Sequence, residues 1–166
     1  SARTLYSTEG SSLSIKTMLA VAVLCRKDCG KRPLIIAPRN VHKAFINACC
    51  LLDIDVKWVY PNTASAELCS SFVGADDIET AVLQCGQAPD GVYITSPDYL
   101  GNIADINEIS KVCRNHGIPL LVDNAHGAYL KFLKESLHPL DFGADMCCDS
   151  AHKTLPVYTG GSYLHI

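Results

Sequence analysis

Apolar positions along this chain fall into short, almost continuous runs separated by segments with helical spacing. Leu13 to Cys25 contains neither Pro nor Gly and is apolar nearly all round. That pattern predicts a buried helix whose first turn is the polar loop Ser7-Thr8-Glu9-Gly10-Ser11-Ser12. Pro33 to Pro38 reads as a buried strand, and Val41, Ala44, Phe45, Ala48, Cys49 and Leu52 then share one helical face. Asp55 to Tyr60 is the next strand, closed by Pro61, and Asn62 to Ala75 is polar and irregular enough to read as a loop. Asp76-Asp77-Ile78-Glu79 has the form of a helix start, with Ile78, Ala81, Val82 and Cys85 continuing the face toward Gly86. Gly91 to Thr95 is a strand, and Asp105 to Glu108 opens a helix that buries Ile106, Ile109, Val112 and Cys113 before His116-Gly117. Strands follow at Ile118 to Val122 and Ala144 to Cys148, and Ser162 to His165 returns as a strand after the Gly160-Gly161 turn. Continuous apolar strands alternating with helices predict a three-layer α/β/α fold with a mainly parallel sheet, as one domain over residues 1–166.

Chemistry concentrates where two of these strands stop. Asp149-Ser150-Ala151-His152-Lys153-Thr154-Leu155-Pro156 reads as a strand end stopped by proline, and Ile118 to Val122 runs into Asp123-Asn124-Ala125-His126-Gly127. Open α/β sheets bind ligands beyond the carboxyl ends of their strands. Lys153 is the sort of amine that forms a Schiff base, and Asp123 the sort of carboxylate that keeps a pyridine nitrogen protonated. Together they point to pyridoxal phosphate. The Ser-rich start of the first helix offers free N–H groups and hydroxyls to a phosphate, and His42 stands at the carboxyl end of a strand with a flat ring to present.

Composition narrows the classes. The 166 residues are 48% hydrophobic and 19% charged, enough for one core of ordinary size. A formal net charge of -3 without Lys/Arg clusters argues against nucleic acid as a partner. Most of the nine cysteines, including Cys49, Cys50, Cys85, Cys113, Cys147 and Cys148, lie in apolar runs and read as buried hydrophobes of a reducing, cytoplasmic setting. With no Cys-x-x-Cys and no His-Glu-x-x-His, no metal site is expected. Met18 to Cys25 is too short to cross a bilayer, so no membrane partner is expected. The chain reads as a piece excised from a longer protein.

The ordered motifs are a Ser/Gly loop opening a helix, Arg39-Asn40-Val41-His42-Lys43, Ser96-Pro97-Asp98-Tyr99-Leu100-Gly101, Asp123-Asn124-Ala125-His126-Gly127 and Ser150-Ala151-His152-Lys153-Thr154-Leu155-Pro156. This order resembles the large domain of fold type I pyridoxal phosphate enzymes, most of all the ornithine/lysine/arginine decarboxylase family. The resemblance implies that Lys153 carries the cofactor as a Schiff base and that Asp123 pairs with the pyridinium nitrogen. It implies that His42 stacks on the ring with Ala125 opposite, that Ser11, Ser12, Ser150 and His152 contact the phosphate, and that His126 lies near the ring edge. A small amino acid substrate, a C-terminal domain absent from this chain and a homodimer or larger assembly are implied as well. His152 beside Lys153 is expected to help keep the amine neutral. Departures from the family pattern fall at Glu9, whose carboxylate repels a phosphate unless it points away, and at Asp98, Asn124, Gly160 and Gly161. Decarboxylation of a basic amino acid is the leading expectation. An aminotransferase or carbon–sulfur lyase on the same scaffold, or a non-catalytic α/β binding module, remain as alternatives.

Overall fold

The structure, a computed structural model, describes residues 3–25, 30–60 and 73–166. Its elements run β1 (Thr4–Ser7), α1 (Ser11–Leu24), β2 (Leu34–Pro38), α2 (Lys43–Leu51), β3 (Asp55–Val59), α3 (Ala75–Leu83), β4 (Gly91–Thr95), α4 (Ile106–His116), β5 (Leu120–Asp123), β6 (Met146–Asp149), α5 (Ala151–Thr154) and β7 (Ser162–His165). Two 3-10 turns, Ala128–Phe132 and Pro139–Phe142, bridge β5 and β6. The strands form one sheet in the order β1-β7-β6-β5-β4-β2-β3, with β7 antiparallel to both of its neighbours and the other pairs parallel.

Successive strand side chains point to opposite faces, so each strand feeds two cores. Ile35, Ala37, Tyr93, Leu121 and Cys148 pack with α1 and α2, and Ile36, Val92, Ile94, Leu120, Val122 and Cys147 pack with α3 and α4. Asp123 and Cys148, paired across β5 and β6, therefore face α1 and α2, and Asp149 faces the other layer. The three-layer α/β/α arrangement and its mainly parallel sheet match the apolar pattern.

Several local expectations are corrected. The edge strand β1 was not foreseen; it pairs Thr4 with His165 through Ser7 with Ser162. Lys153 lies on a single helical turn, α5, rather than on a strand end, because β6 stops at Asp149. The capping carboxylate of α3 is that of Asp77, accepting from the Gly74 N–H at 3.0 Å, whereas Glu79 meets His116 of α4 at 3.0 Å. Asp105 caps α4 as its spacing predicts, accepting from the Glu108 N–H at 3.1 Å. Cys25 and Cys50 are exposed, whereas Cys49, Cys113, Cys147 and Cys148 are buried. Most of the loop expected from Asn62 to Ala75, together with Cys29 and Cys69, lies outside the described residues. Among the described residues no helix is long and apolar enough to cross a membrane.

Candidate active site

Beyond the carboxyl ends of β4 and β5 opens a small cleft lined by Ser11, Ile15, His42, Thr95, Tyr99, Asp123, Ala125, His126 and Lys153. Five separate segments supply these residues, and the parallel topology is what gathers them. Thr95 and Asp123 are register partners on neighbouring strands and so share a face. Sequence reasoning did not single out Thr95. Among the described residues its buried hydroxyl has no hydrogen-bond partner, and a buried polar atom in the lining of a cleft is a ready contact for a ligand. The available signal was its two-residue spacing from Tyr93 on the face that Asp123 also uses.

Asp123 is 1% exposed. Burial pushes its carboxyl above the ordinary carboxylate range, opposed by donors from Tyr93 and the Ala125 N–H and by the charges of His42 and Lys153. The Tyr93 hydroxyl donates to one oxygen at 3.0 Å and the Ala125 N–H to the other at 3.1 Å. His42 caps α2, its Nδ1 accepting from the Ala44 N–H at 3.1 Å. Burial lowers its proton affinity, with the Lys153 charge adding to the effect and that of Asp123 opposing it. A neutral imidazole with its proton on Nε2 results. Lys153 is exposed at the mouth, its Nζ 3.1 Å from His126 Nε2. Burial and then the Lys153 charge hold His126 below its usual pKa, so its neutral ring nitrogen accepts from the ammonium. The neighbour of the amine is thus His126 and not His152. Tyr99 bridges the two imidazoles, 5.4 Å from His126 and 6.5 Å from His42 between ring centroids.

Ser12, Ser150 and His152 do not line this cleft; they stand beside it at the start of α1. Gly10, at φ 72°, precedes that helix without any side-chain cap; the Leu13 N–H turns back to the Gly10 carbonyl at 3.2 Å, and the N–H groups of Ser11 and Ser12 before it have no intrahelical acceptor. The backbone and ring Nδ1 of His152 each lie 3.1 Å from the Gly161 carbonyl, which turns the ring toward the helix start. The Gly160 carbonyl accepts from the Gly10 N–H at 2.7 Å. The glycine pair that departs from the family pattern therefore ties the β7 approach to the helix start. A Cβ on Gly160, at φ 94°, would stand 2.2 Å from the Thr8 carbonyl oxygen. Gly160→Ala is accordingly expected to lower stability by about 1–3 kcal/mol, read as a lower urea midpoint; an unchanged midpoint would show that the contact is dispensable.

The remaining departures have structural explanations. Glu9 lines an outer groove with Tyr6, Leu13 and Thr17, away from the Lys153 cleft. Asp98 accepts from the N–H groups of Leu100 and Asn102, both at 2.9 Å, and closes its own turn. Asn124 Nδ2 donates to Asp149 at 2.6 Å. On that face Asp149 Oδ2 also meets His138 Nε2 at 3.1 Å and His165 Nε2 at 3.2 Å, a trio the sequence did not announce. His138 Nδ1 accepts from the Leu140 N–H at 3.4 Å. In a neutral ring this leaves the proton on Nε2, where it donates to Asp149 instead of offering a lone pair to a metal.

The whole chain, residues 1–166, matches the family model described as Orn/Lys/Arg decarboxylase, major domain. Among curated proteins it is 38% identical to the uncharacterized protein YaaO of Bacillus subtilis, over 83% of this chain and 29% of that protein. It is 30% identical to an arginine decarboxylase of Halalkalibacterium halodurans, over 98% of this chain and 32% of that protein. The chain thus spans about a third of the length of these relatives. Among solved structures, mouse CSAD in apo form superposes with a TM-score of 0.83 at 21% identity, covering 100% of this chain and 37% of that one, a likeness of fold. By the family model, the chain belongs to the Orn/Lys/Arg decarboxylase family, through its major domain.

Proposed function

We propose that this chain is the cofactor-binding part of a pyridoxal phosphate-dependent decarboxylase acting on a basic amino acid: ornithine, lysine or arginine. The observation that carries this reading is the convergence of Lys153, Asp123 and His42 on one cleft beside an uncapped helix start. The donor set fits the group: an amine at the mouth, a buried carboxylate at the floor, an unpartnered Thr95 hydroxyl on the wall and open N–H groups for a phosphate. The arginine decarboxylase relatives support the substrate class.

Pyridoxal phosphate, when bound, accepts the electron pair left at the substrate's α-carbon when carboxylate departs. Lys153 would supply the amine that holds the cofactor, and His126 Nε2 accepts a hydrogen bond from it. Asp123 holds a proton at the ring nitrogen, a role that demands an ionised carboxylate in a site shielded from water. His42, fixed by its capping bond, would pack against the cofactor ring, with Ala125 on the other side. Ser11, Ser12, Ser150 and His152 bind the phosphate. Tyr158 and Phe132 are exposed apolar side chains, and they support assembly as a homodimer or larger. The free cysteines support a reducing, cytoplasmic setting.

The test is to incubate the chain with pyridoxal phosphate, reduce with borohydride, digest and map the added mass. Label concentrated on Lys153, absent from Lys153→Ala and weakened in Asp123→Asn, is the expected result. Label spread over several lysines would overturn the reading.

A further inference from the structure

We propose that Tyr93 is a positioning residue of this site: its hydroxyl anchors the carboxylate of Asp123 in one orientation and holds it ionised. The proposal deepens the cofactor reading above and rests on it.

Tyr93 sits in the middle of β4 and is fully buried, its ring 4.4 Å from that of Phe45 between centroids. An aliphatic or phenyl side chain would fill that space without bringing a hydroxyl into the core, where a polar group is unfavourable unless hydrogen-bonded. The hydroxyl donates to Asp123 Oδ2 at 3.0 Å. Burial and the neighbouring carboxylate raise the phenol far above its ordinary pKa, so it remains a donor at all working pH values.

The carboxylate is thereby clamped at both ends, Oδ2 by Tyr93 and Oδ1 by the Ala125 N–H at 3.1 Å. Each oxygen still has a lone pair for a ring N–H. The ionisable groups facing Asp123 are Tyr93 on β4, Cys148 on β6, His42 before α2, Lys153 on α5 and, further out, Tyr99 and His126. Cys148 is held protonated by its burial, which leaves Tyr93 as the one side chain hydrogen-bonded directly to Asp123 among the described residues. A carboxylate made too basic by burial would draw the proton off the ring nitrogen and disable the ring as an electron acceptor. A donor at its back opposes that transfer.

The test labels the chain with γ-¹³C-aspartate and follows the Asp123 carboxyl by NMR against pH. Tyr93→Phe is expected to raise its midpoint by about one to two pH units. 3-Fluorotyrosine at position 93, a stronger donor in a ring that still packs, is expected to lower it and guards against a Phe variant that fails to fold. A midpoint unmoved by both substitutions overturns the proposal whether or not Lys153 captures cofactor. With ring-¹⁵N pyridoxal phosphate bound, the wild-type nitrogen is expected to read as protonated and that of Tyr93→Phe as less so; equal shifts overturn the proposal. A wild-type chain that captures no cofactor at Lys153 overturns the reading on which the role rests, and is told apart by an Asp123 midpoint that still responds.

Discussion

Asp149→Ala is expected to remove about 3–5 kcal/mol of stability, seen as a marked fall in the urea midpoint with an unchanged slope. Asp149 is 5% exposed and accepts from Asn124, His138 and His165. The first side chain follows β5, the second precedes a 3-10 turn and the third belongs to β7. Truncating the carboxylate leaves the buried donors of Asn124 and His138, and the half-buried one of His165, without that acceptor, which costs more than losing the hydrogen bonds themselves. Burial alone would raise the Asp149 carboxyl, but the hydrogen bonds from His138 and His165 hold it well below its ordinary value of 3.8. A carboxyl depressed in the folded state contributes stability that is fully present above the unfolded value and lost as pH falls through the folded one. The wild type is therefore expected to lose this contribution below about pH 4, and Asp149→Ala to show a flatter acid limb. A variant that loses less than about 1 kcal/mol would mean that the trio is not a structural lock.

How far such a network could be read from residues depends on the range of its contacts. The helices and most strands were legible because their signals are local: the i, i+3, i+4 spacing of Ile106, Ile109 and Cys113, or the closed apolar run from Leu34 to Pro38. Lys153, Asp123 and His42 stood out as candidates because each lies in a polar motif that follows an apolar run. The β1 strand was not, since Thr4 to Tyr6 are all exposed and become a strand only by pairing with β7, some 160 residues later. Asp149 stood in plain view, yet its partners lie 11, 16 and 25 residues away, and only the sheet brings them together. Tyr93 looked like an ordinary core aromatic. Its role appears only when β4 and β5 are placed side by side.

Asp123→Asn is expected to do the reverse of Asp149→Ala, sparing the fold while removing function. If the proposed function holds, decarboxylase activity measured with the proposed cofactor should fall by about 10²–10³-fold, the scale of one preorganised electrostatic contact in a buried site. On the proposed reading, asparagine would not hold a proton at the cofactor's ring nitrogen, and the ring would be a poorer electron acceptor although the cleft keeps its shape. Stability responds differently because the two carboxylates are shifted in opposite directions. Burial dominates at Asp123 and raises its folded pKa above 3.8. Its contribution is fully present below the unfolded value, where the carboxyl is protonated in both states, and is lost as pH rises through the folded one. Once ionised, the wild-type side chain is thus a burden on the fold that the neutral amide does not carry. Asparagine can still accept from Tyr93 or from the Ala125 N–H, so the variant should melt at or above the wild-type temperature at pH 7 and lose the decline in stability that Asp123 imposes above pH 3.8. Thermal melts from pH 3 to 8, run beside the activity assay, decide the matter. A variant that unfolds as readily as Asp149→Ala would show that Asp123 is held for structure, and an active variant would show that its carboxylate is not the one on which the chemistry depends.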